Sequence, residues 1–157
     1  MANITVVSTG GKNALPVRTF NTEAAASILE GHLVKIGGTG NNFVIELATA
    51  DPEVGTDRVI GIAKAASTDT ASVAGTCEVY IIDSRTVLRA NAHTPANLGD
   101  GILFDSVTID LTSTTQTINE NEGDDPDVHG IIMLAYSTED GTVDFVIKNG
   151  ALLDGLV

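Results

Sequence analysis

The chain has 157 residues, is 43% hydrophobic, and carries a formal net charge of −13 with an isoelectric point near 4.3. That length fits a single domain with an arm, and that acidity repels phosphate backbones and anionic lipids, which sets nucleic acid and membrane surfaces aside as partners. With no Trp, two Tyr and four Phe, the core must be built from Val, Ile, Leu and Ala, each large one stabilising by about 1.5–3 kcal/mol when fully buried.

Residues 1–20 read as an extended N-terminal arm. Ile4, Val6 and Val7 form a β-prone patch, Ser8-Thr9-Gly10-Gly11 interrupts it, and Leu15-Pro16-Val17 follows. Gly-Gly breaks regular structure, and Pro16 lacks a backbone donor. An arm of this kind either frays or adds a strand to a neighbour. Residues 21–157 read as one β-rich domain. Its first stretch, NTEAAASILEG over 21–31, carries the best helix signal. Asn21 or Thr22 can cap, Glu23 suits the first turn, and Gly31 can close it. An extended course through Ser27–Glu30 is the alternative.

Short strands come next. Residues 32–36 are followed by a Gly/Asn turn cluster. Phe43, Ile45 and Leu47 then share one face of a strand. Val59, Ile60 and Ile62 flank Gly61, whose missing side chain predicts a bulge or a close backbone approach. Val79, Ile81 and Ile82 form another strand, which Val87 and Leu88 continue after a bend. Beyond a loop over 90–100, strands are predicted at 102–104 and 107–111, then an acidic loop over 119–127. Strands at 130–136 and 142–148 flank the hairpin turn Thr138-Glu139-Asp140-Gly141. Many short strands with frequent turns predict an all-β fold, a small β-barrel or β-sandwich with short helical segments and the N-terminal arm.

Chemistry is sparsely written. His32, His93 and His129 form no HxH or HExxH pattern, and no Cys pair supports zinc. The acidic loop lacks the ordered EF-hand spacing, so a solvated loop is the plainer reading. Gly37-Gly38-Thr39-Gly40 lacks the Lys-Ser/Thr of a phosphate loop, and no GxSxG elbow exists. The single cysteine, Cys77, sits in an apolar strand and reads as a small core residue. No enzyme activity, cofactor or metal is therefore expected. No run of about 18 apolar residues predicts a membrane span, and MANITVVSTGGK lacks a signal-peptide pattern. Synthesis in a cytoplasm is the expectation.

The order of segments carries a resemblance. Leu15-Pro16-Val17-Arg18-Thr19 precedes an Ala-rich stretch. Then come Gly31-His32-Leu33-Val34-Lys35, Asp57-Arg58-Val59-Ile60-Gly61-Ile62-Ala63 and Ala74-Gly75-Thr76-Cys77-Glu78-Val79-Tyr80. Over roughly half the chain this resembles the capsid decoration (cement) proteins of tailed bacteriophages, although the typical member is shorter. The resemblance implies a homotrimer on the outer capsid surface of a virion, assembled in a host cytoplasm. It would sit at three-fold and quasi-three-fold axes of an expanded shell and tie subunits of the major capsid protein together against internal DNA pressure. Carried onto this chain, the shell contacts are Ile4, Thr5, Val6, Val7, Leu15, Pro16 and Val17. The competing expectation is a β-sandwich adhesin or fibre domain that binds a host-surface receptor.

Overall fold

A computed structural model describes residues 4–37, 44–48, 52–121, 125 and 127–153. Its strands are β1 (Thr5–Ser8), β2 (Val17–Thr22), β3 (Leu33–Gly37), β4 (Val44–Leu47), β5 (Val59–Ala63) and β6 (Gly75–Ile81). They continue with β7 (Val87–Asn91), β8 (Ser106–Thr112), β9 (Thr115–Asn119), β10 (Ile131–Ser137) and β11 (Thr142–Ile147). The fold is all-β and combines two architectures. Five strands close a barrel in the order β2-β4-β3-β5-β6, while six form a sheet in the order β1-β7-β11-β10-β8-β9. Only β2 and β4 pair in parallel; the other pairings between these strands are antiparallel.

Two apolar clusters follow from this arrangement. Phe20, Val34, Ile45, Ile60, Ala63, Cys77, Val79 and Ile81 fill the barrel, and Ile28 joins them from the loop before β3. A larger cluster joins barrel to sheet, with Leu33, Val59 and Ile62 on one side and Leu88, Ile109, Met133 and Phe145 on the other. Strand β5 serves both. Val59 and Ile62 face the shared core while Ile60 and Ala63 face the barrel interior. Strict alternation would not place them so. The pairing to β3 shifts between Val34↔Gly61 and Lys35↔Val59, leaving Ile60 as an extra residue that resets the faces. Gly61 is needed there, because a Cβ would stand 1.8 Å from the Tyr80 carbonyl oxygen. Both features expected of Gly61, a bulge and a close approach, are present.

The β8–β9 hairpin stitches the two bodies together. Gln116 is buried, and its amide oxygen accepts the Leu33 N–H at 2.6 Å. Its amide nitrogen donates to the carbonyls of Leu33 (3.1 Å) and Ala48 (2.7 Å). The neighbouring His32 is also buried. Its Nδ1 accepts the Leu29 N–H, so the proton sits on Nε2 and is donated to the Thr114 carbonyl at 2.7 Å.

Three sequence expectations change. The helix over 21–31 does not form. Asn21 and Thr22 end β2, and the following loop carries Ala25 and Ser27 at positive φ. Two turns of helix are too short to persist alone. Burial of Ile28, with loop N–H groups held by the Thr70 carbonyl, Asp69 and Ser67, outweighs the local propensity. The short helical segments are instead 3₁₀ turns at Pro95–Asn97, Asp100–Ile102 and Asn149–Ala151. The strand expected at 102–104 is correspondingly absent, replaced by the second of these turns and by Phe104 at φ 66°. Finally, the acidic loop expected to begin at Asn119 begins later: Thr115–Asn119 is strand β9, and Asn119 and Glu120 are buried.

Candidate functional site

The residues singled out near the N-terminus run extended, as expected, and they lie against the body. Ile4 is buried and donates its N–H to the Gly31 carbonyl at 3.1 Å. Strand β1 pairs with β7 through Thr5↔Arg89, Val6↔Leu88 and Ser8↔Val87, with an irregularity at Val7. Leu15 packs on the shared core, and the Pro16 carbonyl accepts the Ile81 N–H at 2.8 Å. Val17 opens β2 opposite Tyr80, so the boundary drawn at residue 20 falls inside a barrel strand. Backbone groups explain the docking: the edges of β7 and β6 supply partners that an isolated arm would lack.

Among the described residues β1 pairs on one side only and forms an edge of the six-stranded sheet. Between it and the barrel wall runs an apolar groove of about 350 Å³, lined by Ile4, Val6, Leu15, Ile62 and Tyr80 with Lys64 at its lip. Outside the groove, Val7 is 47% and Val17 41% exposed. An edge strand presents unpaired backbone groups to which another chain can pair, although the shortness of β1 and its irregularity at Val7 limit the length of that edge.

Electrostatics fastens this segment. Lys12 Nζ lies 3.1 Å from Asp83 Oδ2 in the turn before β7. Burial pushes the Asp83 carboxyl up, but Lys12, the Arg85 N–H and the Thr86 hydroxyl outweigh it and bring it down to about 2. Charge is also divided along the chain. Residues 1–90 hold seven of the eight cations and nine acids, while residues 91–157 hold one cation and twelve acids. The first part is therefore near neutral and the second strongly acidic.

The residues considered for chemistry are occupied with structure. His93 Nδ1 lies 3.1 Å from Asp110 Oδ2, and Asn119 donates to the same oxygen. Glu120 beside them accepts the N–H groups of His93 and Thr94 at 3.1 and 2.9 Å, so its carboxylate holds the loop after β7 in place. His32 has both ring nitrogens committed. The Cys77 thiol faces the barrel interior, where burial, with Asp69 and Glu78, pushes it up to about 11. A thiol so protonated is a poor nucleophile at neutral pH. Among the described residues no three His, Cys, Asp or Glu side chains converge as a metal site, and no helix is long and apolar enough to cross a membrane. Much of the Gly/Asn cluster over 37–42 and part of the acidic loop, at 122–124 and 126, lie outside the described residues.

One exposed residue escaped the sequence reading. Phe104 is 71% exposed and sits at φ 66°, a conformation costing roughly 1–2 kcal/mol for a residue with a Cβ. Its flanks, Leu103 and Asp105, gave no turn signal; only the failure of 102–104 to alternate hinted at it.

Compared with protein-family models, curated proteins and solved structures, the chain shows no significant match to any of the three.

Proposed function

We propose that this is a structural decoration protein that binds the exterior of an expanded viral capsid and reinforces it, as trimers at three-fold and quasi-three-fold axes. The observation that carries this reading is β1. Among the described residues it is an edge strand of the open sheet, paired with β7 on one side only, with Val7 exposed on it and Val17 exposed at the start of β2. Such an edge takes up a strand of a partner by backbone pairing, while side chains at alternate positions supply specificity. The partner on this reading is the major capsid protein. The segment order described above supports the same reading.

Charge supports an orientation. The near-neutral part, which holds β1 and the barrel, approaches the shell, and the acidic part faces solvent and keeps decorated particles apart. Each docked edge binds modestly. A symmetric trimer engages several shell sites at once, and the resulting avidity exceeds a single-site affinity by orders of magnitude. No catalytic step enters, because the output is mechanical.

Co-sedimentation with expanded, undecorated shells tests the proposal, with compact precursor shells as the control. Saturable binding to expanded shells alone, weakened by Val7→Asp together with Val17→Asp, is the expected result. Failure to bind either shell overturns it.

A further inference from the structure

The two halves of the chain repeat one strand plan. Five strands of the open sheet, in the order β7-β11-β10-β8-β9, are brought round on themselves by an isolated parallel bridge between Ala92 and Ile118. There the His93 N–H donates to the Ile118 carbonyl at 2.7 Å. The barrel runs in the same order, β2-β6-β5-β3-β4, and closes in parallel at the same place, through Thr22↔Ile45. The registers agree as well. Setting Thr22 on Ala92 sets Ile45 on Ile118. Following the ladders from there sets Ile36 on Ile109, Val34 on Val107, Gly61 on Ile131, Ile81 on Ile147 and Asn21 on Asn91, and the circuit returns to its start without a slip. The sequence keeps traces of the repeat in Asp51-Pro52-Glu53-Val54 against Asp125-Pro126-Asp127-Val128, and in Gly75-Thr76 against Gly141-Thr142.

The repeat is broken at one edge. In the second half the leading strand, β7, is covered by β1, antiparallel, through Thr5↔Arg89, Val6↔Leu88 and Ser8↔Val87. The alignment sets Val87, Leu88 and Arg89 on Val17, Arg18 and Thr19, the first three residues of β2. All three are exposed, and β4 meets β2 only at Asn21 and Thr22. The Pro16 carbonyl accepts the Ile81 N–H, so Pro16 and Arg18 turn their backbone groups toward β6. By alternation Val17 and Thr19 turn theirs away from it. Among the described residues nothing pairs with them on that side. Strand β1 shows what such an edge takes: an antiparallel segment, Thr-Val-Val-Ser, without charge and mostly β-branched. It does not fill both seats, because the burial of Ile4 and the Lys12–Asp83 ion pair hold it on β7.

We infer that residues 17–19 are a second strand-accepting edge, which takes an antiparallel, uncharged, β-branched strand from another chain. Backbone pairing supplies the attachment, and the outward side chains of Val17 and Thr19 supply the fit. The inference deepens the decoration reading and rests on it only for the donor, which is then the major capsid protein.

Residue-resolved amide exchange of the full chain tests the edge without any shell. The N–H groups of Val17 and Thr19 are expected to exchange about tenfold or more faster than those of Arg18 and Phe20, which face β6. A second copy of residues 3–9, tethered to the N-terminus by about 15 Gly/Ser residues, supplies a strand at roughly millimolar effective concentration. It should slow the Val17 and Thr19 amides by about tenfold, while the linker alone leaves them fast. Thr19→Pro removes a donor that faces away from β6, so the melting temperature should stay within about 4 °C of the parent's. Its affinity for expanded shells should fall by about tenfold. Val17 and Thr19 amides as slow as their neighbours in the free chain, or unmoved by the tethered strand, overturn the inference. A Thr19→Pro variant that coats expanded shells like the parent also overturns it and leaves the decoration reading standing. A chain that takes the tethered strand yet binds no shell overturns the decoration reading and leaves the accepting edge in place.

Discussion

The barrel and the six-stranded sheet solve the problem of strand edges in opposite ways. The barrel closes on itself through the parallel pairing of β2 with β4 at Asn21 and Thr22. The sheet stays open at β1, whose Val6 and Val7 are exposed, while Val34, Val59 and Val79 of the barrel are buried. An open edge invites association, and a soluble chain normally blunts it with charge, proline or a bulge. Here the four exposed positions of β1 are Thr5, Val6, Val7 and Ser8, with one irregularity in register and no charge. On the decoration reading proposed above, this is a division of labour in which the open sheet supplies the docking edge and the closed barrel the scaffold.

The largest way to break the comparison is to open the barrel. Gly61→Val drives a side chain into the Tyr80 carbonyl and resets the faces of β5. A loss above about 4 kcal/mol is expected, read as a failure to fold or a collapsed urea midpoint. Next is the seam. Gln116→Ala removes the partner of the Leu33 N–H and one donor each from the carbonyls of Leu33 and Ala48, of which the Leu33 carbonyl keeps the Ala48 N–H. It is expected to cost about 3 kcal/mol. Fluorescent reporters placed separately in barrel and sheet would show their transitions drawing apart.

Acid sharpens the comparison at smaller cost. The Asp83 carboxyl is held at about 2 when folded, against about 3.9 in an unfolded chain. Its contribution is complete above the unfolded value and is lost as pH falls from about 4 toward 2. Because its partner is Lys12, the loss should appear first as faster amide exchange over residues 5–15, before the barrel strands respond. Uniform exchange across barrel and N-terminal segment in that window would contradict the fastening role. The smallest effect concerns Cys77. With its thiol raised to about 11 inside the barrel, alkylation at pH 8 should be slow in the folded protein and rapid in denaturant. Rapid labelling of the native chain would mean that the barrel breathes more than its closure suggests.

Much of this fold was legible because burial on one face writes period two into a strand. Val143, Phe145 and Ile147 alternate and are buried, and Thr138–Gly141 forms the turn between β10 and β11, with Gly141 at φ 65°. The flaw in β5 was legible through Gly61. What escaped depended on partners distant in sequence. Strand β2 was hidden because its first residues are exposed and its last two carry a helix-capping signal that β6 overrides. The role of Gln116 was hidden because its three partners lie 68 to 83 residues away. At the candidate site, Val6, Val7 and Val17 could be singled out by their β-branched patches. The groove they adjoin could not, since its other wall comes from β5 and β6.

The central claim is that β1 is the edge offered to a shell while the barrel is the scaffold behind it. Hydrogen exchange of the protein free and bound to expanded shells tests this most directly. The account predicts new protection over residues 4–8 on binding, with β3, β5 and β6 unchanged. Binding that leaves residues 4–8 as fast as before, or protects the barrel strands instead, would contradict it.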